Sequence, residues 1–375
     1  MPGLTAHGAG PSTWFQRYLL PGFAFKAVVI GGGYATGREL AEFFLPSGPW
    51  GGVIGMGLAA LIWSVVCAAT FLFARLTGSL NYRDFFRQLL GPGWWAFEIA
   101  FVLLLFLILA VFGAAAGAVG EALFGWPPII GTLLLVAGIA GFTALGNDAV
   151  EALFKWVSFL LYGVYGIFLV LALNSFGRRI LTTFAGSDIG PGWAMAGLTY
   201  SGYNIVGAVA ILPIVRHFRH SRDAITAGLL AGPLAMAPAL LFFVSMAAWP
   251  DIGGALLPSD FLLERMNLPV FRYAFQAMIF AALLESGTGS LNAFNERIAG
   301  AVGPARYGTG SRLLVSMMVL ICAVFLADRF GLVALIASGY RFLSWAFLAA
   351  YVLPLMTIGV WRLWQNRQPV MERIA

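Results

Sequence analysis

The feature that most constrains this chain is a succession of long, continuous apolar runs. Between polar or Pro/Gly punctuation they cover approximately 17–45, 49–76, 94–122, 127–146, 148–174, 192–215, 224–249, 269–299, 310–327 and 330–364, ten in all. A helix needs about 20 apolar residues to cross a hydrocarbon core about 30 Å thick. With no water there to satisfy the backbone, only helices or closed barrels can span. A barrel reads as segments of about ten residues with strict alternation, and runs this continuous exclude it. Composition agrees: of 375 residues, 60% are hydrophobic and only 10% charged, where soluble chains carry about a quarter. The expectation is an all-α integral membrane protein, one bundle of about ten helices with the lipid bilayer as its principal partner.

The charge balance orients the bundle. Lys and Arg total 22 against 16 Asp and Glu, a net +6, and the excess lies in loops, as topology set by positive inner loops requires. Arg75, Arg83, Arg87, Arg216, Arg219, Arg222, Arg297, Arg306 and Arg312 then face inward, with Arg362, Arg367 and Arg373 in and before the tail. Both termini are expected on the cytoplasmic side of the membrane. A basic balance of this origin does not argue for nucleic acid. Cys67 and Cys322 fall inside apolar runs, so neither a disulfide scaffold nor a thiolate metal centre is expected. His7, His217 and His220 form no metal-binding helix, and no phosphate-binding loop is present. The first run carries Arg17 and Lys26 and continues past the length of a signal-peptide core, so it is read as a retained helix. Arg178 to Ala185 is expected to be an outer surface helix, with Tyr82 to Leu90 its inner counterpart. The last run would overshoot the core, and a break at Ser338-Gly339-Tyr340-Arg341 is expected.

Gly31-Gly32-Gly33-Tyr34-Ala35-Thr36-Gly37 places four glycines in seven residues at mid-membrane. Each costs about 1 kcal/mol against Ala in a helix. Glycines that serve close packing recur at four-residue spacing on one face, whereas three in succession point all round, so an unwound segment is expected. The sixth run offers a partner in Leu198-Thr199-Tyr200-Ser201-Gly202-Tyr203-Asn204-Ile205-Val206-Gly207. It opens a second set of five runs, and an odd number forces the two halves to cross in opposite senses. Inverted repeats with binding at discontinuous helices have this signature. The expected organisation is a leader over 1–16, a first five-helix repeat over 17–174, an extracellular connection over 175–191, a second repeat over 192–364, and a tail over 365–375.

Gly31 through Phe44, reading GGGYATGRELAEFF, resembles the first-helix motif of the YkvI-like family of bacterial membrane proteins. That family is similar to the amino-acid/polyamine/organocation superfamily of LeuT-fold transporters. The resemblance implies a LeuT-like fold of five plus five helices, with solute at the breaks of spans one and six and spans three and eight lining it. Span three contributes the small-residue run Gly113 to Gly120, with Gly113 and Gly117 as lining positions. Gly31, Gly33, Ala35, Gly37 and Glu39 fit the family pattern. Tyr34 stands where Phe is expected, and Lys26 is unexpected for a sodium-coupled member.

Helix breaks expose backbone groups. Amides around Tyr34 to Gly37 would hold a carboxylate, and carbonyls around Val29 to Gly31 an ammonium or sodium ion. The candidate substrate site is therefore Gly31, Gly32, Gly33, Tyr34, Ala35, Thr36, Gly37, Gly113, Gly117, Tyr200, Ser201, Gly202, Tyr203 and Asn204. The tyrosines serve as walls, with Ser201 and Asn204 as polar contacts. Ionisable groups at membrane depth are functional candidates by default. Lys26 and Glu285, with Ser286 and Thr288, form the candidate coupling site, either as a proton-linked pair or as a sodium site near Val29, Ser286 and Thr288. A structural ion pair or snorkelling of Lys26 is the plain alternative. Arg341 sits at the bend of span ten. Arg38 and Glu39 are the candidate gate, with a headgroup anchor as the alternative for Arg38, and Glu151 and Lys155 read as a surface pair. No cofactor and no catalytic residue is expected: no Ser with a His-bearing helix and no mid-membrane Asp pair is present. The expected activity is secondary transport of a small polar organic solute, an amino acid or related amine, coupled to H+ or Na+. A channel or a solute-sensing receptor on the same fold are the alternatives.

Overall fold

The computed structural model describes residues 12–29, 31–145, 147–302 and 307–365. Most of the leader, the tail beyond 365, and the side chains of Glu151 and Lys155 lie outside the described residues. Helix fills the apolar runs. The first run is divided into α1 (Trp14–Tyr18), α2 (Leu20–Val29), α3 (Gly32–Thr36) and α4 (Arg38–Phe44). There follow α5 (Gly48–Thr77), α6 (Tyr82–Leu90), α7 (Trp95–Phe124), α8 (Pro128–Leu145) and α9 (Asn147–Ala185). The second half holds α10 (Trp193–Asn204), α11 (Val206–Ala210), α12 (Ser221–Ala247), α13 (Pro258–Met266), α14 (Pro269–Val302), α15 (Thr309–Ala334), α16 (Arg341–Phe347) and α17 (Val360–Gln365). Among the described residues, five helical stretches are long and apolar enough to cross a bilayer: Arg38–Thr77, Tyr82–Phe124, Gly163–Ala185, Ser221–Ala247 and Gly310–Gln365. The chain is a multi-pass, all-α membrane protein.

The helices sort into two groups by packing. One is built on α5, which packs against α12 and α10, with α2 on α12. The other joins α7, α8, α14 and α15. In lipid, helices gain most from close approach of small residues, and both groups use it. A Cβ at Gly228 or Gly232 of α12 would overlap the α5 backbone at Ala68 or Ala60, and one at Gly131 of α8 would overlap Ala116 of α7. Between the groups lie the short helices α3 and α4: α3 touches α7 and α14, whereas α4 touches α5 and α10. The interrupted part of the first run thus sits at the seam.

Two sequence expectations are corrected. Arg178 to Ala185 is no separate surface helix, because α9 continues through it to Ala185. Tertiary contacts hold that end in helix: Arg179 Nε donates to the Ala248 carbonyl at 2.8 Å, and its guanidinium lies 3.9 Å from the Trp249 ring centroid. The expected break at Ser338 to Arg341 is a π-helical turn over Leu335–Tyr340 that runs straight into α16. The sharp turn comes earlier, at Gly331, whose φ of 70° only glycine adopts freely. Tyr82 to Leu90 does form its own helix, capped by Asn81, whose side chain accepts from the Asp84 amide.

Candidate functional site

Beyond α2 the first run is interrupted twice more. After α2, Gly31 is extended (φ −93°, ψ −173°) and its amide donates to the Val29 carbonyl at 2.8 Å. Five residues of α3 follow, and then Gly37 turns left-handed at φ 80° before α4. A Cβ at Gly37 would also press on Phe242 at 2.8 Å, so both backbone angle and space call for glycine there. Thr36 Oγ1 donates to the Gly33 carbonyl at 3.0 Å and accepts from the Arg38 amide at 3.3 Å, closing the turn locally.

This turn aims Glu39 back over α3. Its carboxylate lies against Gly33 so closely that a Cβ there would overlap it. Glu39 is 4% exposed and accepts a hydrogen bond of 2.5 Å from the Tyr203 hydroxyl, which ties α4 to α10. Tyr203 in turn stacks on Tyr340, ring centroids 4.4 Å apart at 14°. The π-helical turn brings Tyr340 to this position, and such turns often mark functional sites. Phe43 packs on both Tyr200 and Tyr203, and Tyr34 lies 6.2 Å from Tyr165 of α9. The Tyr200 hydroxyl is buried without a hydrogen-bond partner among the described residues, and the buried hydroxyls of Tyr34 and Tyr165 lie next to each other. The centre is therefore a carboxylate ringed by phenols.

Arg38 points the other way. Its Nη1 donates to the carbonyls of Gly253 and Ala255, both at 2.9 Å. Its Nη2 meets Glu42 at 3.1 Å, and Arg341 approaches the same carboxylate at 3.9 Å. The connection between α12 and α13 is thereby drawn over this end of the bundle. At the opposite end a cavity of about 560 Å³ opens between α6, α7, α14 and the stretch from Val209 to Pro213. Arg297 lies in its wall, 4.0 Å from the Tyr82 ring centroid and 3.5 Å from that of Phe101. Also at that end, Asp223 collects the Tyr18 hydroxyl at 2.7 Å and the amides of Arg219 and His220.

The structure gathers Gly33, Tyr34, Tyr200 and Tyr203 around Glu39. Other predicted positions lie elsewhere or are otherwise engaged. Gly113 and Gly117 are not at the break: a Cβ at Gly117 would come 2.5 Å from the Pro128 carbonyl, and one at Gly113 would meet Thr132 at 3.1 Å. They pack α7 on α8, where Thr132 also donates to the Gly113 carbonyl at 2.8 Å. Gly202 faces Ser344 of α16. The hydroxyl of Ser201 bonds the Leu198 carbonyl and the Asn204 amide group the Tyr200 carbonyl, both within α10. Glu39, a gate candidate by sequence, sits in the central cluster, while Arg38 holds the end. Lys26 is 9% exposed; its helix packs chiefly on α12, whereas that of Glu285 packs on α9, α7 and α8. Gly287 lies against Ile139, and the buried Thr288 hydroxyl has no hydrogen-bond partner among the described residues. Phe43, Tyr340, Tyr165 and Glu42 join the site without being site candidates by sequence. Only Glu42 carried a signal, its four-residue spacing from Arg38.

No family model matches the chain. It is 25% identical over 237 residues to the uncharacterized membrane protein YkvI of Bacillus subtilis (strain 168), a match spanning 61% of this chain and 66% of that protein. Among solved structures it resembles a Na+-coupled sialic acid symporter in a substrate-bound outward-open state, with a TM-score of 0.59 and 16% identity over 90% of this chain and 81% of that one. MhsT in complex with L-phenylalanine gives a TM-score of 0.52 and 15% identity over 94% and 97% of the two chains. A manganese transporter of Eremococcus coleocola gives 0.51 and 18% over 93% and 80%. Two helix groups with an interrupted first span between them, superposable on these transporters over nine-tenths of the chain, give this protein the LeuT-like fold.

Proposed function

We propose that this chain is a secondary transporter that moves a small polar organic solute, an amino acid or related amine, across the bacterial cytoplasmic membrane by alternating access. The observation that carries the reading is the hydrogen bond from Tyr203 to Glu39 at the double interruption of the first span. It lies between an end closed by Arg38 and an end with an open cavity. A buried polar centre, reached from one end at a time, is what alternating access requires. The structural neighbours carry or bind different molecules, so the fold supports transport and leaves the solute to the site. The inverted repeat over 17–174 and 192–364, with both termini cytoplasmic, belongs to the same proposal. So does coupling to H+ or Na+, with Lys26 and Glu285, or Val29, Ser286 and Thr288, as the residues involved. The unpartnered Thr288 hydroxyl supports an ion beside α14.

Uptake by the purified chain in liposomes tests this. A panel of labelled amino acids and amines, offered under a sodium gradient and separately under a pH gradient, should yield saturable accumulation of at least one solute. Gly33→Leu should abolish it while inserting normally, since the new side chain displaces Glu39. Normal uptake by that variant would remove the centre from the transport path.

A further inference from the structure

We propose that Glu39 is the receptor for a positively charged ammonium group on the solute, and that Tyr203 occupies its place when no solute is bound. The proposal rests on the transporter reading for its purpose, and binding alone tests it.

A carboxylate taken out of water needs a countercharge or several hydrogen bonds. Glu39 is 4% exposed. Among the described residues, no Lys, Arg or His nitrogen lies within 4.0 Å of it, the limit for an ion pair. The nearest guanidinium in sequence, Arg38, is directed to Gly253, Ala255 and Glu42, and Arg341 meets Glu42 as well. A carboxylate has about four acceptor positions, and Tyr203 fills one.

The surroundings suit an ammonium. It carries donors only and is attracted to aromatic faces. Phe43, Tyr200, Tyr203 and Tyr340 supply a cluster of rings in mutual contact. The Tyr200 hydroxyl is a buried acceptor without a hydrogen-bond partner among the described residues. The backbone carbonyls of the break already accept bonds: Val29 from the Gly31 amide, Gly31 from the Ala35 amide, and Gly33 from Thr36. Among the described residues at the centre, the acidic group that can supply negative charge is Glu39.

The plain alternative is a structural bond that pins α4 to α10. The two differ in what Tyr203→Phe does. As a competitor for the carboxylate, Tyr203 weakens amine binding, so its removal should tighten binding about 5-fold, the worth of one ordinary net hydrogen bond. As a structural strut, its removal would loosen the site and weaken binding.

The experiment uses the full chain in lipid nanodiscs, with calorimetric binding and thermal shift as readouts. The probes are ethanolamine, putrescine and phenethylamine, with phenethyl alcohol and phenylacetate as uncharged and anionic counterparts. At least one amine should bind and its counterparts should not. Glu39→Gln, of the same shape, should weaken that binding at least ~30-fold, Glu39→Asp less, and Tyr203→Phe should strengthen it. Size-exclusion profiles identify variants that fail to fold, and Glu39→Asp then carries the comparison. Failure of every amine to bind would overturn the proposal, as would undiminished binding to Glu39→Gln or weaker binding to Tyr203→Phe. Stabilisation by sodium over potassium that depends on Glu39, without any amine effect, would assign the site to an inorganic cation and also overturn it. Amine binding without uptake would sink the transporter reading and leave this inference standing.

Discussion

At one end of the bundle Arg38 is 5% exposed and donates two 2.9 Å hydrogen bonds to the carbonyls of Gly253 and Ala255. At the other, Arg297 lies against the rings of Tyr82 and Phe101, with its Nη1 buried and unpartnered among the described residues. The same side-chain type closes one end and lines a cavity of about 560 Å³ at the other. The difference is directional. Charge-assisted bonds to two carbonyls fix a connecting segment at one distance and angle. A cation over an aromatic face is worth only about 0.5–1 kcal/mol where partly exposed and tolerates sliding. Under the proposed transport cycle, the strong contacts mark the closed access path and the weak ones the open path.

Breaking the Arg38 contacts should have the largest effect. Arg38→Ala removes two bonds to a charged donor, each worth ~1.5 kcal/mol or more, so the closed form should lose roughly 100-fold or more in population. Ser259, fully buried in the first turn of α13, reports on this as Ser259→Cys, with the exposed Cys322 replaced by Ser. Its modification by an impermeant thiol reagent should accelerate by a similar factor. An unchanged rate would mean that Arg38 fastens a segment that closes nothing. At the opposite end Asp223 holds Tyr18, the Arg219 and His220 amides and, at 3.9 Å, Arg17. Asp223→Asn keeps the shape and weakens the acceptor, an expected loss of about 2 kcal/mol in docking α1. Trypsin cleavage after Arg17 should then rise by roughly 30-fold. Equal cleavage of both forms would show that α1 is held by its apolar contacts instead.

The contrast also explains what could be read from the chain beforehand. Apolar runs are long-range averages, so the helices and the bilayer follow from them directly. The interruption at Gly31 to Gly37 was legible because three adjacent glycines exceed what helix packing uses. The function of a single small residue was not legible. Glycine permits close approach of a solute or of a neighbouring helix equally well, and at Gly113 and Gly117 the neighbour is α8. Nor was the place of Glu39 legible, because a left-handed Gly37 redirects the first turn of α4 back over Gly33. The place of Tyr340 in the site was not legible either, because a π-helical turn shifts its register by a residue, which no periodicity count anticipates.

Gly117 separates scaffold from site. A methyl group there would lie 2.5 Å from the Pro128 carbonyl, and overpacking of this kind costs typically 1–3 kcal/mol. Gly117→Ala should therefore lower thermal stability while leaving both the Ser259→Cys labelling rate and amine affinity within twofold of the parent. A selective loss of affinity at unchanged stability would return this residue to the solute site.

The smallest effect is expected at Arg297, and it tests whether the two ends are independent. Arg297→Gln removes two cation–π contacts at a partly exposed position, about 1 kcal/mol together. Glu98 bonds Tyr82 at 3.3 Å and should keep that ring in place, so the cavity wall should stay formed. Arg297 and Arg38 sit on different helices: α14 meets α3 and, through Arg272 and Asp260, α13, whereas α4 packs on α5 and α10. The labelling of Ser259→Cys should accordingly stay unchanged in Arg297→Gln, with a slight fall in melting temperature. Two ends of an alternating-access protein cannot both be open, however, so a ligand or mutation that favours closure of the cavity must favour release of Arg38 by the same free energy. If Arg297→Gln speeds labelling as much as Arg38→Ala does, Arg297 is holding the open cavity rather than lining it, and the weak contacts govern the cycle.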